Sequence, residues 1–254
     1  MKRSLAAVVT CLLAGAGVFG QGRGGAPQAP KTPKAIAPFD MTGYWVSVVT
    51  EDWRWRMFTP PKGDTTGVPL NPEGKKIADA WDPAKDEAAG ELCKSYGAAN
   101  IMRVPGRLHL TWQDDQTIKL ETDAGTQTRM FDFAEPQKQG GDWQGISKAS
   151  WELTPALGGF TFGPNNATDG TGSLKIVTTK LRPGYLRKNG VPYSANTVVT
   201  EYFDIVKEAN GDAYLVITTT VEDPAYLTEP FLTAAHFRKE ADASGWNPSP
   251  CQAR

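Results

Sequence analysis

The sequence is poor in the residues that build metal and redox centres. It contains two histidines and three cysteines in 254 residues. Structural zinc sites need closely spaced Cys and His ligands, and no Cys-x-x-Cys pair is present, so this class of site is excluded. Nucleophile-elbow, P-loop and dinucleotide-binding glycine motifs are also missing. We therefore predict no metal and no cofactor. The lack of catalytic motifs favours a protein that is not an enzyme.

An excess of charge of either sign is missing as well. The chain has 27 basic and 28 acidic residues, a formal net charge of −1. Proteins that bind nucleic acid carry basic patches or stripes, and this balance gives no sign of one. After the first twenty residues, no stretch is apolar enough to span a bilayer. The sequence thus predicts neither a nucleic-acid partner nor an integral membrane protein once the leader is cleaved.

The one long apolar run lies at the N-terminus. Lys2 and Arg3 precede an apolar stretch from Leu5 to Val18, and a small residue follows at the cleavage position. This arrangement predicts a secretory signal peptide over residues 1–20. We therefore expect a periplasmic or secreted protein.

Composition divides the rest of the chain in two. Residues 21–38 are mostly Gly, Pro, Ala and Lys, with almost nothing to bury, so we predict a disordered spacer. Residues 39–254 are expected to form one domain, because β-barrels of this length fold as single units.

Two cysteines, Cys93 and Cys251, follow the predicted leader. In an exported chain they predict one disulfide, which would tie the C-terminal tail to a helical segment. The alternative is a pair of free thiols.

Alternation of apolar and polar residues dominates the domain and predicts β-strands. Turn signals at residues 113–116, 122–126 and 208–212 would join neighbouring strands as hairpins. Sequential hairpins favour a mainly β fold with a single antiparallel barrel. The predicted strands are Tyr44–Val49, Trp53–Met57, Arg107–Gln113, Thr117–Thr122, Thr126–Phe133, Ser173–Leu181, Thr197–Lys207, Ala213–Glu222 and Phe231–Lys239.

A short helical insertion interrupts the strands at about residues 71–97. Asn71 is a favourable N-cap and Pro72 suits the first turn. A second helix is predicted to start at Asp82 and Pro83. The pair is placed to cover one end of the barrel.

The segment "DMTGYW", residues 40–45, resembles the Gly-x-Trp opening of lipocalin-like (calycin) barrels. In that family the Trp closes one end of the barrel and a basic residue of a late strand packs on it. The resemblance implies a lipocalin-like fold, with Trp45 as the plug and Arg238 as its partner.

Longer segments, among them "YGAANIMRVPGRLHLTWQDD" and "LRPGYLRKNGVPYS", resemble secreted proteins of Gram-negative soil bacteria whose function is uncharacterised. The resemblance implies export and a single β-rich domain. It implies no established catalytic residues.

Trp53, Arg54, Trp55 and Arg56 are the strongest ligand-binding candidates. Aromatic faces bind flat ligands, and guanidinium groups pair with carboxylates or phosphates through two parallel hydrogen bonds. The alternative is that the tryptophans fill the barrel while the arginines face solvent.

Further candidates lie in two other segments. Tyr96 and Arg103 come where the helical pair rejoins the barrel, and Tyr185, Arg187 and Tyr193 belong to a long loop at 182–194. We expect this loop to act as a lid over a shared mouth, the alternative being a solvated loop.

For an enzyme, His109 is the best general base by its intrinsic pKa, and Glu51 and Glu201 are the best carboxylates. The ordinary interpretation of all three is structural.

We predict an exported lipocalin-like barrel that binds a small molecule at an aromatic and arginine-lined mouth. One alternative is a barrel hydrolase, lyase or isomerase acting on a carbohydrate or secondary metabolite. Another is an interaction protein of an envelope complex.

Overall fold

Nine strands close into a barrel in the computed structural model, which describes residues 31–136, 140–153 and 172–253. The predicted signal peptide and residues 21–30 of the predicted spacer lie outside the described residues. Spatial order around the barrel is β1-β11-β10-β9-β6-β5-β4-β3-β2, and β7 pairs with β8 in a separate hairpin. The strands are β1 Gly43–Val48, β2 Arg107–Trp112, β3 Thr117–Thr122, β4 Thr128–Asp132, β5 Ile146–Leu153, β6 Gly172–Thr179, β7 Gly184–Arg187, β8 Val191–Tyr193, β9 Val198–Lys207, β10 Ala213–Glu222 and β11 Phe231–Lys239.

The barrel is mixed, so the prediction of a single antiparallel barrel is wrong in one pair. Strands β4 and β5 run parallel, with Phe131 opposite Ser147 and Asp132 opposite Lys148. Parallel strands cannot be joined by a tight hairpin, and residues 133–145 separate β4 from β5 in the sequence. Apart from Trp53–Met57, the predicted strands lie close to β1–β4, β6 and β9–β11, whereas β5, β7 and β8 lie where no strand is predicted.

Side chains fill the barrel interior. One face of every long strand is buried and the other is partly exposed, which is the alternation that the sequence predicts. Small barrels either fill in this way or hold one ligand. The largest fully buried residues include Trp45, Leu110, Ile118, Leu120, Phe131, Leu174, Phe203 and Phe237.

Trp45 is buried in the barrel core, and its basic partner is Lys239 rather than Arg238. The β1–β11 register sets Trp45 opposite Lys239, whose Nζ lies 4.5 Å from the ring centroid. Arg238 immediately precedes Lys239 in β11. Neighbouring side chains of a strand point to opposite faces, so Arg238 is exposed.

The helical insertion between β1 and β2 is confirmed and begins as predicted. Asn71 accepts a hydrogen bond from the Gly74 backbone at 2.9 Å and caps α2, Pro72–Ala80. Asp82 caps α3, Pro83–Ala88, which is shorter than predicted. Two 3₁₀ turns, Lys94–Tyr96 and Ile101–Arg103, lead on to β2.

The prediction of a strand at Trp53–Met57 is wrong. Trp53–Arg56 form one helical turn, α1, which follows Asp52 in the left-handed conformation with φ 53°. Residues two apart lie about 200° apart around a helix, whereas they share a face of a strand. Arg54 and Arg56 therefore point to opposite sides of α1.

The 182–194 segment is a packed hairpin, so its prediction as a mobile lid is also wrong. Strands β7 and β8 pair through Gly184 and Tyr193. Leu186, Val191 and Tyr193 are buried in a second apolar cluster beside the insertion.

The described part of the predicted spacer, residues 31–38, forms a turn against the barrel instead of a disordered linker. Ile36 donates its backbone N–H to the Thr32 carbonyl at 3.1 Å. The Pro33 carbonyl accepts from Trp151 Nε1 at 2.9 Å.

Cys93 and Cys251 form the predicted disulfide, which joins the insertion to the C-terminal tail. Hydrogen bonding also holds the tail, because the Ser249 backbone donates to the Asp123 carbonyl at 2.9 Å.

Reduction of this bond should lower stability strongly. The closed loop has a sequence separation of 158 residues, and the chain-entropy model gives about 5 kcal/mol for such a loop. Urea unfolding with and without dithiothreitol should show a lower midpoint in reductant. The double variant C93S/C251S should match the reduced protein and no longer respond to reductant; an unchanged wild-type midpoint would contradict the prediction.

Candidate functional site

Three buried arginines meet at the rim where the insertion covers the barrel. Arg56 comes from α1, Arg103 from the second 3₁₀ turn and Arg187 from the end of β7. Their exposed fractions are 5%, 4% and 3%. Charged side chains are almost never this buried unless they are paired. We call Arg56, Arg103 and Arg187 the arginine cluster.

Arg56 joins the two ends of the insertion. Its Nε donates to the Arg103 carbonyl at 2.9 Å, and its Nη1 donates to Glu51 Oε1 at 2.5 Å. Glu51 also contacts His236 of β11, with Oε2 3.0 Å from Nδ1. The carboxylate thus ties the cluster to the barrel wall.

Arg103 has one carboxylate partner among the described residues, Asp52. Its Nη1 donates to Asp52 Oδ2 at 2.7 Å, and its guanidinium carbon lies 5.6 Å from the Phe231 ring centroid. The strained backbone of Asp52 points this carboxylate toward Arg103 at the cost of a left-handed residue.

Arg187 has no salt-bridge partner among the described residues. Its guanidinium lies on the face of Trp55, 4.8 Å from the ring centroid. A cation–π contact of this kind contributes about 0.5–2 kcal/mol, less than the cost of leaving buried donors unbonded.

Four buried nitrogens of the cluster lack a hydrogen-bond acceptor among the described residues. They are Arg56 Nη2, Arg103 Nη2, and Arg187 Nε and Nη1. Unsatisfied buried polar groups are rare in folded proteins, and each needs an explanation such as a ligand or an ion. The cluster has the donor chemistry of an anion site.

Burial and mutual repulsion both act on these cations. Burial, followed by the charge of Arg103, lowers the pKa of Arg187 to about 10. Burial also lowers the pKa of Arg56, with Glu51 opposing the shift and Arg103 adding to it. Arg56 and Arg187 nevertheless stay charged at neutral pH, since arginine holds its proton there.

A loop between α1 and α2 runs beside Arg187. Asn189 Nδ2 donates to the carbonyls of Pro61 and Asp64, at 2.9 Å each, and Asp64 Oδ2 accepts from Trp55 Nε1 at 3.1 Å. A Cβ on Gly67 would lie 3.8 Å from Arg187 Nη2. We call residues 61–67 the cover segment.

The other predicted members of the Trp/Arg motif lie outside the cluster. Trp53 and Arg54 are exposed on α1, whereas Trp55 is half-buried against Arg187. The structure therefore brings together Trp55, Arg56, Arg103 and Arg187 from the sequence candidates.

The three candidate tyrosines pack the insertion against the β7–β8 hairpin rather than lining the cluster. Tyr185 donates to Asp86 Oδ2 at 2.8 Å, and Tyr96 lies beneath Lys188, whose Nζ is 5.2 Å from the ring centroid. The Tyr193 hydroxyl is buried against Gly97 and Gly184, and burial raises its pKa.

The candidate catalytic residues are not brought together. His109 lies on the outer barrel face, stacked on Tyr44 at 4.1 Å and 3.2 Å from Glu121. Glu201 is inside the barrel, and Glu51 accepts a hydrogen bond from Arg56 of the arginine cluster.

A buried ion pair inside the barrel escaped the sequence reasoning. Arg129 Nη1 and Nη2 donate to the two oxygens of Glu201, at 3.0 and 2.5 Å, and Nη2 also donates to Thr178. Arg129 Nε is buried without a partner among the described residues. The only available signal was that strand alternation turns Arg129 and Glu201 inward.

Within the described residues, no group of three or more His, Cys, Asp or Glu side chains is arranged to hold a metal ion. None of the described helices has the length and apolar character needed to cross a bilayer. Comparison with protein-family models, curated proteins and solved structures finds no match to this chain.

Substitution of Arg187 by Met should stabilise the ligand-free protein. The change removes a buried cation without a carboxylate partner while keeping most of the side-chain volume, so we expect the free energy of unfolding to rise by about 1–3 kcal/mol. Urea denaturation measures the difference.

Arg129→Met is the matched control, because Arg129 is equally buried but paired with Glu201. It leaves a buried carboxylate alone and should cost about 3–5 kcal/mol. Equal destabilisation by both variants would show that Arg187 is satisfied in the folded protein.

Glu51→Gln should lower stability at neutral pH and remove part of the acid sensitivity. Burial favours the neutral form of Glu51, but hydrogen bonds from Thr50 and His236 and the charge of Arg56 lower its pKa below the ordinary 4.5. A lowered pKa stabilises the fold above pH 4.5, and this contribution disappears as pH falls through the folded-state value. Urea midpoints of the two proteins should therefore converge between pH 6 and about pH 3; a constant difference would contradict the assignment.

Proposed function

We propose that this protein is an exported, lipocalin-like barrel that binds a small organic anion at the arginine cluster. The observation that carries the proposal is the set of four buried, unsatisfied guanidinium nitrogens on Arg56, Arg103 and Arg187. Carboxylates and phosphates match the fork of N–H donors that guanidinium groups present. Two carboxylates already contact the cluster: Glu51 forms a salt bridge with Arg56, and Asp52 forms one with Arg103.

The location of the cluster supports a ligand site outside the barrel core. Large side chains fill the interior, so a ligand is better placed at the rim, between the insertion and the β7–β8 hairpin. Trp55 adds an aromatic face beside Arg187, suited to a flat or apolar part of the ligand.

Ligand entry requires the cover segment to lift, because the unsatisfied nitrogens are closed to solvent. Three hydrogen bonds hold it near the cluster, two from Asn189 and one from Trp55. Exposed or part-buried hydrogen bonds of this kind contribute only about 0.5–1.5 kcal/mol each, which a charged ligand offsets.

Calorimetric titration with inorganic phosphate, sulfate, succinate and butyrate tests the proposal. At least one anion should bind and raise the thermal midpoint, and added salt should weaken the binding. Arg187→Met should reduce affinity about 10- to 100-fold, because hydrogen bonds to charged groups contribute about 1.5–3 kcal/mol.

Arg54→Met is the control, since Arg54 lies on the same helical turn but is exposed. The Arg54→Met protein should bind each anion with the affinity of the wild type. Glucose serves as the neutral probe and should not bind at the cluster. The proposal fails when no anion binds at millimolar concentration, or when Arg54→Met and Arg187→Met weaken binding equally.

A further inference from the structure

Three exposed apolar side chains lie on or just after α1, the helical turn that carries Arg56. Trp53, Met57 and Phe58 are 54%, 54% and 68% exposed. They are three of the eight large apolar side chains that are exposed among the described residues, and they lie within six consecutive positions. Exposed apolar residues are unremarkable singly, but a cluster of them marks an interaction site.

Helix geometry places part of this surface directly beside Arg56. Trp53 precedes Arg56 by three residues and Met57 by four, and residues at these spacings are neighbours with Cβ atoms about 5–6 Å apart. Met57 caps the turn, with its backbone N–H donating to the Trp53 carbonyl. A buried cation and an exposed apolar face therefore belong to one helical turn.

On this basis we infer that the ligand is a single-chain anionic amphiphile. Its carboxylate or phosphate head is bound by the arginine cluster, and its hydrocarbon chain lies on Trp53, Met57 and Phe58. The inference rests on the proposed anion site and adds the chemistry of the rest of the ligand.

The chemistry of both halves favours one molecule over two separate partners. A simple anion such as phosphate would leave the apolar face in water, and a neutral hydrocarbon would leave the guanidinium donors unsatisfied. An amphiphile covers the apolar face and bonds to the guanidinium donors, and only one molecule loses its translational freedom. The amphipathic side chain of Trp53 suits the boundary between head and chain.

A chain-length series tests the inference on the full exported protein by calorimetry below the critical micelle concentration. The probes are inorganic, butyl, hexyl and octyl phosphate, with acetate and octanoate for the carboxylate head and octyl glucoside as the neutral amphiphile. Burial of each methylene group should tighten binding roughly two- to fourfold. Octyl phosphate or octanoate should thus bind at least about tenfold tighter than the shortest anion with the same head.

Two surface variants separate the halves of the site. Trp53→Ala/Met57→Ala should lose the dependence on chain length while binding the shortest anion as the wild type does. Val206→Ala, at an exposed apolar residue of β9, is the matched control and should keep the full dependence. Arg187→Met should weaken every anionic probe by a similar factor.

Each contrary outcome has a distinct meaning. Equal binding of inorganic and octyl phosphate overturns the amphiphile and leaves the anion site intact. Failure of every anion overturns the anion site as well. Octyl glucoside binding as tightly as octyl phosphate shows an apolar patch that works without the arginines. Binding to phosphatidylglycerol vesicles, without binding to the monomeric probes, identifies a membrane-docking surface instead.

Discussion

Closure of the barrel between β1 and β2 is the constraint on which the rest of the structure depends. These strands are adjacent partners, with Val46 opposite Arg107, so the chain between them must leave and return at the same rim. The Ser47 backbone donates to the Gly106 carbonyl at 2.9 Å and fixes the two ends of the insertion side by side. The insertion folds back onto the barrel, where Ile101 and Met102 join the core.

The arginine cluster follows from this topology. Arg56 lies just after the insertion leaves β1 and Arg103 lies just before it rejoins β2, so barrel closure brings together residues far apart in sequence. The hairpin of β7 and β8 is placed in the same way. It lies in the connection between β6 and β9, which are also paired neighbours, and this connection begins and ends at the same rim. Arg187 is thereby added to the pair from an independent excursion of the chain.

Strand alternation predicted most of the barrel because the buried face needs apolar residues at every second position. The same rule failed at Trp53–Arg56, where alternating Trp and Arg also fit one helical turn after a left-handed Asp52. Composition did identify Trp55, Arg56, Arg103 and Arg187 as ligand candidates. It could not distinguish Arg56 from Arg54, because their opposite burial follows from the helical backbone. The β4–β5 pairing and the Arg129–Glu201 contact depend on partners distant in sequence, which local patterns do not specify.

Arg129 and the cluster show two different ways of burying positive charge. Inside the barrel, Glu201 accepts two hydrogen bonds from Arg129, so folding itself supplies the counter-charge. At the rim, Glu51 and Asp52 each hold one nitrogen of an arginine, and Arg187 lies on the face of Trp55 with no carboxylate partner in the described part of the chain. Among the described residues Arg129 keeps one unbonded nitrogen, Nε, whereas Arg187 keeps two and has no carboxylate partner. Residues that cost stability in the free protein are characteristic of functional sites, where the missing interaction comes from a ligand. This difference is the basis for proposing that an anion binds at the arginine cluster.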